Sequence, residues 1–285
     1  MRTALRWTGY VVGFLLLLVL LAAAYVWIVS SNALTARADA HSETLAEASP
    51  AQLADGTRQL SILGCVSCHG QGLRGKLFFD VPNVAKLYAP NLTLVAAHAD
   101  DQRLAQAIRQ GVGHDGRNLF VMPAAQYARL TDAETAALIH AIRQQPRGGT
   151  QTAPISIGPL GRIGIATGKF KMQQDLVAEY AEHMPADLGP KFAQGRHFAM
   201  TNCAECHGSA LGGGEPEPGL RAPNLSIVGA YDLPKFARLM RTGVPASGRK
   251  LKLMDEVARD DFSHYNDAEI AALYAYLHER AQKAP

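Results

Sequence analysis

All four cysteines of this 285-residue chain fall in two copies of one five-residue pattern. The copies are Cys65-Val66-Ser67-Cys68-His69 and Cys203-Ala204-Glu205-Cys206-His207. A pattern that uses every thiol, and sets a histidine directly after each pair, narrows what the chain can be. Two C-x-x-C pairs sharing one zinc ion are usually separated by roughly 15–20 residues, whereas these begin at 65 and 203. A thioredoxin-type redox pair would sit in a βαβ pattern and is rarely duplicated, and neither copy has such surroundings. Disulfides within the pairs would leave both histidines unexplained, and four cysteines are too few for a disulfide-stapled scaffold of this length.

The chemistry that needs C-x-x-C-H is covalent attachment of c-type haem. Two thiols three positions apart near a helix start can add to the two vinyl groups on one edge of a porphyrin. The adjacent histidine then swings under the ring as the proximal iron ligand. The chain is therefore expected to carry two covalently bound haem c groups. Cys65, Cys68 and His69 would hold one, and Cys203, Cys206 and His207 the other.

An internal repeat points to the remaining ligands. Ala89-Pro90-Asn91-Leu92-Thr93 recurs as Ala222-Pro223-Asn224-Leu225-Ser226, and Arg109-Gln110-Gly111-Val112 as Arg241-Thr242-Gly243-Val244. Gly116-Arg117 recurs as Gly248-Arg249, and at that same separation Met122 falls on Met254. Thr131-Asp132-Ala133-Glu134 matches Asn266-Asp267-Ala268-Glu269. Of the seven methionines, Met1 is the start, Met172 and Met184 lie between the repeats, and Met200 is on the proximal side. Met240 matches Ile108 and reads as a core residue. Met122 and Met254, each read as lying in a loop before a C-terminal helix, are the expected distal iron ligands. The other histidines (His41, His98, His114, His140, His183, His197, His264 and His278) share no repeat positions and read as surface or packing residues.

Residues Gly9 to Val29 form a charge-free apolar run long enough to cross a bilayer core of about 30 Å. The only tryptophans, Trp7 and Trp27, lie near its ends, roughly 30 Å apart along a helix, with Tyr10 and Tyr25 just inside. Aromatics at both ends form the interfacial belt of a transmembrane helix. The competing reading is a cleaved signal peptide, with Ala22-Ala23-Ala24 as the cleavage site, although the apolar run continues past it to Val29. Arg2 and Arg6 ahead of the run keep the N-terminus cytoplasmic and send the rest of the chain outward. Formal net charge is only +3, and two of those charges are Arg2 and Arg6. The remaining body lacks the concentrated basic face that nucleic acid requires.

The two halves, about 50–145 and 188–282, resemble class I cytochrome c domains. Each shows an N-terminal helix, C-x-x-C-H, an A-P-N-L loop, a methionine and a C-terminal helix. The whole is similar to the cytochrome c subunits of membrane-bound bacterial dehydrogenases, which commonly carry three haem motifs where this chain has two. A dihaem carrier protein is the other relative, though it usually lacks so long a linker. The resemblance implies an all-α fold of two tandem class I cytochrome c domains preceded by one N-terminal transmembrane helix. The expected layout is an anchor or signal at 1–30, a tether at 31–49, domain 1 at 50–145, a linker at 146–187 and domain 2 at 188–285.

Helix signals agree with this layout. Thr131 and Glu134 form a capping box ahead of an apolar stripe of Leu138, Ile139 and Ile142. Asn266 starts the equivalent helix, and N-terminal helices are expected at about Pro50–Leu63 and Pro190–Met200. The resemblance implies that Gly56 and Gly195 let the N- and C-terminal helices cross closely. It also implies that a backbone carbonyl near Pro90 and near Pro223 accepts the histidine N–H, with a plain turn as the alternative. Arg109 and Arg241 either face haem propionates or lie on solvated helix faces. The glycine- and proline-rich linker, with its apolar Ile163-Gly164-Ile165-Ala166, is expected to wrap across both domains, with a short helix at about Gln173–His183.

The function implied is electron transfer by a single-pass protein of the bacterial cytoplasmic membrane, its haem domains on the periplasmic side. Its partners would be redox proteins: a dehydrogenase or quinol-oxidising complex as donor, and a terminal oxidase or soluble cytochrome as acceptor. With both axial sites filled, it reads as a carrier or electron-transfer subunit rather than an enzyme. The alternative is a dihaem enzyme of the peroxidase or thiosulfate-oxidising type, which needs an open iron or an unusual ligand.

Overall fold

The computed structural model describes residues 2–283 apart from Pro218. The chain is mostly helical, 58%. Helix α1 (Arg2–Thr35) is continuous and, at 1.5 Å per residue, about 50 Å long. It is the one helix among the described residues long and apolar enough to cross a membrane, and its apolar side chains stand exposed.

Domain 1 begins with α2 (Pro50–Ile62). Ser49 and Gln52 close a reciprocal capping box at its start, and Pro50 takes the first turn, where a missing N–H costs nothing. The helix stops where Gly64 takes φ +70° and redirects the chain into α3 (Cys65–His69). Strands β1 (Lys76–Val81) and β2 (Ala85–Ala89) form an antiparallel hairpin. Then come α4 (Leu92–Val95), α5 (Asp101–Arg109), α6 (Ala124–Tyr127) and α7 (Asp132–Arg143). Helix α7 starts at the Thr131–Glu134 capping box expected from the sequence.

The linker adds β3 (Ser156–Ile157), which pairs with β2, and helices α8 (Pro159–Ala166) and α9 (Gln173–Glu182). Domain 2 repeats the plan with α10 (Ala193–Asn202), α11 (Ala204–His207), hairpin β4 (Gly214–Glu217) and β5 (Leu220–Ala222), α12 (Leu233–Thr242), α13 (Leu253–Asp260) and α14 (Asp267–Lys283). The two small sheets add to the helical architecture. Each hairpin follows its C-x-x-C-H helix, a feature helical periodicity does not announce.

The first and last helices of each domain pack together, α2 on α7 and α10 on α14. Glycine sets both crossings. A Cβ on Gly56 would lie 2.8 Å from the Ala137 carbonyl oxygen and 3.0 Å from Ala141 Cβ. A Cβ on Gly195 would collide with the Ala272 carbonyl and lie 2.7 Å from Tyr276 Cβ. Around these crossings lie two separate cores. Leu60, Leu63, Leu104, Tyr127, Leu138 and Ile142 are in the first. Phe236, Met240, Phe262, Leu273 and Tyr276 are in the second.

The segment after α1 is fastened to domain 1 rather than hanging free. The Ala38 amide bonds the Gly116 carbonyl, and backbone groups of His41 and Glu43 bond the side chains of Gln110, Gln102 and Gln106. Leu45 packs on the core. An extended backbone must pair its N–H and C=O groups somewhere; Gln110 and Gln102 accept the amides, and all three glutamines donate to the carbonyls. The linker is ordered as well. It closes over domain 1 through β3 and α9, packs α8 on α1, and reaches domain 2 where the Tyr180 hydroxyl donates to the Ala204 carbonyl.

Candidate haem-attachment sites

Both C-x-x-C-H motifs form a single helical turn that ends at a glycine of positive φ, Gly70 at +76° and Gly208 at +77°. That conformation, open to glycine at little cost, folds the chain back. The Gly75 amide then bonds the His69 carbonyl at 2.7 Å, and the Gly213 amide bonds the His207 carbonyl at 2.8 Å. The return brings the A-P-N segment of each repeat against its histidine. His69 Nδ1 lies 2.8 Å from the Pro90 carbonyl oxygen, and His207 Nδ1 lies 2.8 Å from the Pro223 carbonyl oxygen.

A carbonyl only accepts, so in each pair Nδ1 carries the proton and donates. Each Nε2 is then the unprotonated nitrogen, with its lone pair available to a metal. Burial lowers the pKa of both histidines, although the carbonyl bond opposes the shift, and so favours neutral imidazole. The four cysteines form no disulfide. Burial pushes Cys65 and Cys203 up to about 12 and Cys68 up to about 11. These are not activated redox thiolates. Among the described residues, no group of three or more His, Cys, Asp or Glu comes together to hold a metal ion. The donor set at each motif is thus one neutral imidazole, two thiols and the surrounding apolar core, which fits a haem c and fits a zinc site poorly.

Met122 and Met254 lie half-buried, each packed on the core of its own domain. Cys65 and Val66 pack on the same cluster as Met122, and Cys203 and Ala204 belong to the cluster beneath Met254. Met122 lies in an irregular segment just before α6. Met254 falls in the first turn of α13 rather than in a loop, because Met254, Val257 and Ala258 present one apolar stripe to the core. Met240 is buried in the second core, as its repeat position implied.

The A-P-N segment is braced more firmly in domain 1. Asn91 is fully buried. Its Oδ1 accepts from the Thr93 amide and hydroxyl, and its Nδ2 donates to the Gly148 and Thr150 carbonyls. Asn224, its counterpart, is exposed and caps Ser226 alone at the backbone. Arg109 is committed within the protein. It donates to Asp132 at 2.7 Å, to Glu43, and to the Leu130 and Thr44 carbonyls. Arg241 makes the repeat-equivalent bond to Asp267 at 2.6 Å. Both arginines tie the helix before the methionine to the C-terminal helix.

The sequence reading missed how the two domains meet. They pack about an internal pseudo-twofold, so that two of the contacts made by one repeat are returned by the other. Arg58 on α2 bonds Glu269 on α14, and His197 at the equivalent place on α10 bonds Glu134 at the equivalent place on α7. Ser67, between the cysteines of the first motif, donates to Asp261 of domain 2. Glu205, at the same place in the second motif, donates its amide to Gln126 of domain 1 at 3.2 Å. Gln126 and Asp261 stand at the same separation as Thr131 and Asn266. Ile62, at the end of α2, is buried in the core of domain 2. Each attachment motif therefore faces the other domain.

Burial at this contact raises Asp261 to about 6, opposed by the Ser67 hydroxyl. The residues involved were visible in the repeat, but only as a coincidence of spacing between unlike side chains.

The family model described as cytochrome c matches this chain twice, at residues 53–146 and 192–281. The chain is also similar to the fructose dehydrogenase cytochrome subunit of Gluconobacter japonicus, at 26% identity over 135 residues. That stretch is 42% of this chain and 27% of the relative, so the chain matches about a quarter of that subunit's length. With both halves matched, and with the same histidine–carbonyl geometry in each, the chain belongs to the cytochrome c family as two tandem domains, a family whose domains carry haem c.

Proposed function

We propose that this protein is a membrane-anchored dihaem cytochrome that relays electrons from an exported dehydrogenase or quinol-oxidising complex to a terminal acceptor, either an oxidase or a soluble cytochrome. The observation that carries the reading is one hydrogen bond made twice, from His69 to the Pro90 carbonyl and from His207 to the Pro223 carbonyl, both at 2.8 Å. Each bond fixes the ring orientation and leaves Nε2 free for iron. In this reading Cys65 and Cys68 attach one haem c, and Cys203 and Cys206 attach the other. His69 and His207 are proximal ligands, and Met122 and Met254 are distal ligands.

Haem c supplies a reversible one-electron Fe(III)/Fe(II) couple when bound. The protein's own residues set its conditions. With His69 and Met122 holding one haem and His207 and Met254 the other, no position would be open for substrate, and the thioether would favour Fe(II). The apolar clusters around Cys65 and Cys203 keep water away. The pseudo-twofold contact holds the two motifs in a fixed relation, as a relay requires. Helix α1 would hold the assembly on the periplasmic face of the bacterial cytoplasmic membrane, and its unbroken course past Ala22–Ala24 to Thr35 supports a retained anchor over a cleaved signal. Similarity to a dehydrogenase cytochrome subunit supports a dehydrogenase as donor.

Absorption and electron paramagnetic resonance spectra of the purified protein test this. Two low-spin His/Met haems are expected, with a weak near-infrared band from the sulfur–iron bond. A high-spin signal at either haem would overturn the carrier reading in favour of an enzyme with an open iron. Met122→His and Met254→His should each lower the potential of one haem alone. If neither potential moves, the methionine assignments are wrong.

A further inference from the structure

We propose that α8 is a second membrane contact, its exposed apolar face lying in the headgroup layer of the same bilayer that α1 enters. This rests on the reading of α1 as a spanning helix, and it adds a surface that the family match, which begins at residue 53 and skips the linker, does not cover. The level of α8 along α1 carries the argument. The Arg162 guanidinium stacks on the Trp27 ring, 3.8 Å from its centroid, and donates to Ser30 Oγ at 2.9 Å and Ser31 Oγ at 3.0 Å. These contacts run from Trp27 to Ser31, four residue steps or about 6 Å along α1. Trp27 is the aromatic near the outer end of the apolar run, so α8 is held at the depth where hydrocarbon gives way to headgroups.

The surface of α8 suits that depth. Gly161, Gly164 and Ile165 are buried, and the Gly158 and Leu160 amides bond the Val84 and Asn83 carbonyls at the tip of the β1–β2 hairpin. The opposite face is left open. Leu160 and Ile163 are 56% and 45% exposed, and their three-residue spacing puts them on one side of the helix. Val81 on the hairpin and Ile155 before β3 are also exposed. Arg162 is the only charge on α8, and it is turned to α1. Lys169 stands exposed just beyond, where an anionic headgroup would meet it. A short helix that shows two large aliphatic side chains, and commits its one cation to the neighbouring span, has the make-up of an interfacial helix. A single span would leave the haem domains free to swivel. A second contact at the same level would fix which side of domain 1 faces the lipid.

The test uses the full haem-loaded chain in nanodiscs of phosphatidylethanolamine and phosphatidylglycerol, doped with a phospholipid bearing a diazirine high on its acyl chain. After photolysis, adducts are mapped by peptide mass spectrometry. Lipid adducts are expected on α1 and on the peptide containing residues 155–168. In the variant Leu160→Asp/Ile163→Asp, adducts on that peptide should fall about tenfold, while those on α1 persist. Labelled α1 with an unlabelled 155–168 peptide would overturn the inference and leave the anchor standing, and the α8 face would then belong to a protein partner. An unlabelled α1 would overturn the anchor itself, and this inference with it. Unchanged haem absorption in the variant shows that any loss of labelling reflects the surface and not unfolding.

Discussion

Arg58 in domain 1 and Glu269 in domain 2 are joined by two hydrogen bonds, Nη1 to Oε2 and Nη2 to Oε1, each 2.8 Å long. The same guanidinium also holds Asp55 on its own helix and the His264 carbonyl across the interface. Side-chain exposure of 29% for Arg58 and 11% for Glu269 makes this more than a surface pair. Its symmetry mate, His197 with Glu134 at 2.8 Å, secures the far side of the pseudo-twofold.

Removing one anchor should loosen the contact, and removing both should split it. Glu269→Gln keeps the helix cap to Asn266 while deleting the charge, and should cost on the order of 1–2 kcal/mol. Combined with Glu134→Gln, the two domains should melt as two calorimetric transitions instead of one. A single unshifted transition in the double variant would show that the apolar contact at Ile62 carries the interface alone.

The close helix crossings make Gly195 and Gly56 sensitive to one methyl group. Alanine ordinarily gains about 1 kcal/mol over glycine in a helix. Here the added Cβ meets the Ala272 carbonyl and Tyr276, or the Ala137 carbonyl and Ala141. Both substitutions should destabilise, by roughly 1–3 kcal/mol, with Gly195→Ala the worse. Denaturant unfolding of the haem-loaded protein, followed at the absorption of the affected domain, measures this.

Asp261 predicts a pH dependence with a definite sign. Its native pKa, raised from 3.8 to about 6 chiefly by burial, means that the folded state favours the protonated acid. The contribution is greatest below 3.8, where both states are protonated, and is lost as pH rises through about 6. At neutral pH the buried carboxylate therefore costs stability, by about 3 kcal/mol at most. Asp261→Asn can still accept from Ser67, and should raise the melting temperature at pH 7 and flatten the profile between those two values. A variant with the profile of the parent would show that the carboxylate is solvated.

The two A-P-N segments should respond unequally to loss of their asparagine. Asn91→Ala frees the Thr93 amide and hydroxyl and the carbonyls of Gly148 and Thr150 in a dry site, at a cost of about 2–3 kcal/mol. It should also disturb the Pro90 carbonyl and, through it, His69. Asn224→Ala removes an exposed cap, and should cost about 1 kcal/mol or less. Redox titration should show the haem of domain 1 shifting in the first variant and neither haem moving in the second.

Much of this protein was legible from its residues alone, for identifiable reasons. C-x-x-C-H is local chemistry, with five consecutive residues holding the thiols and the imidazole, so its spacing already specified the cofactor. Capping boxes and apolar stripes are local too, which is why α7 begins where Thr131 and Glu134 place it. The duplication is what put Met122 and Met254 forward as proposed ligands, and the arginines at the head of the chain are what suggest an orientation for α1. The hairpins were hidden because Lys76–Val81 and Ala85–Ala89 are short and draw their pairing from each other. Tertiary structure alone decided the rest. Ser67, Gln126, Asp261, Arg58 and His197 are ordinary polar residues until two domains approach about an internal twofold and partly desolvate them. Arg162 is an unremarkable linker cation until α8 meets α1 at Trp27. Covalent and helical chemistry depends on neighbours in sequence, whereas burial and pairing across a fold depend on neighbours in space.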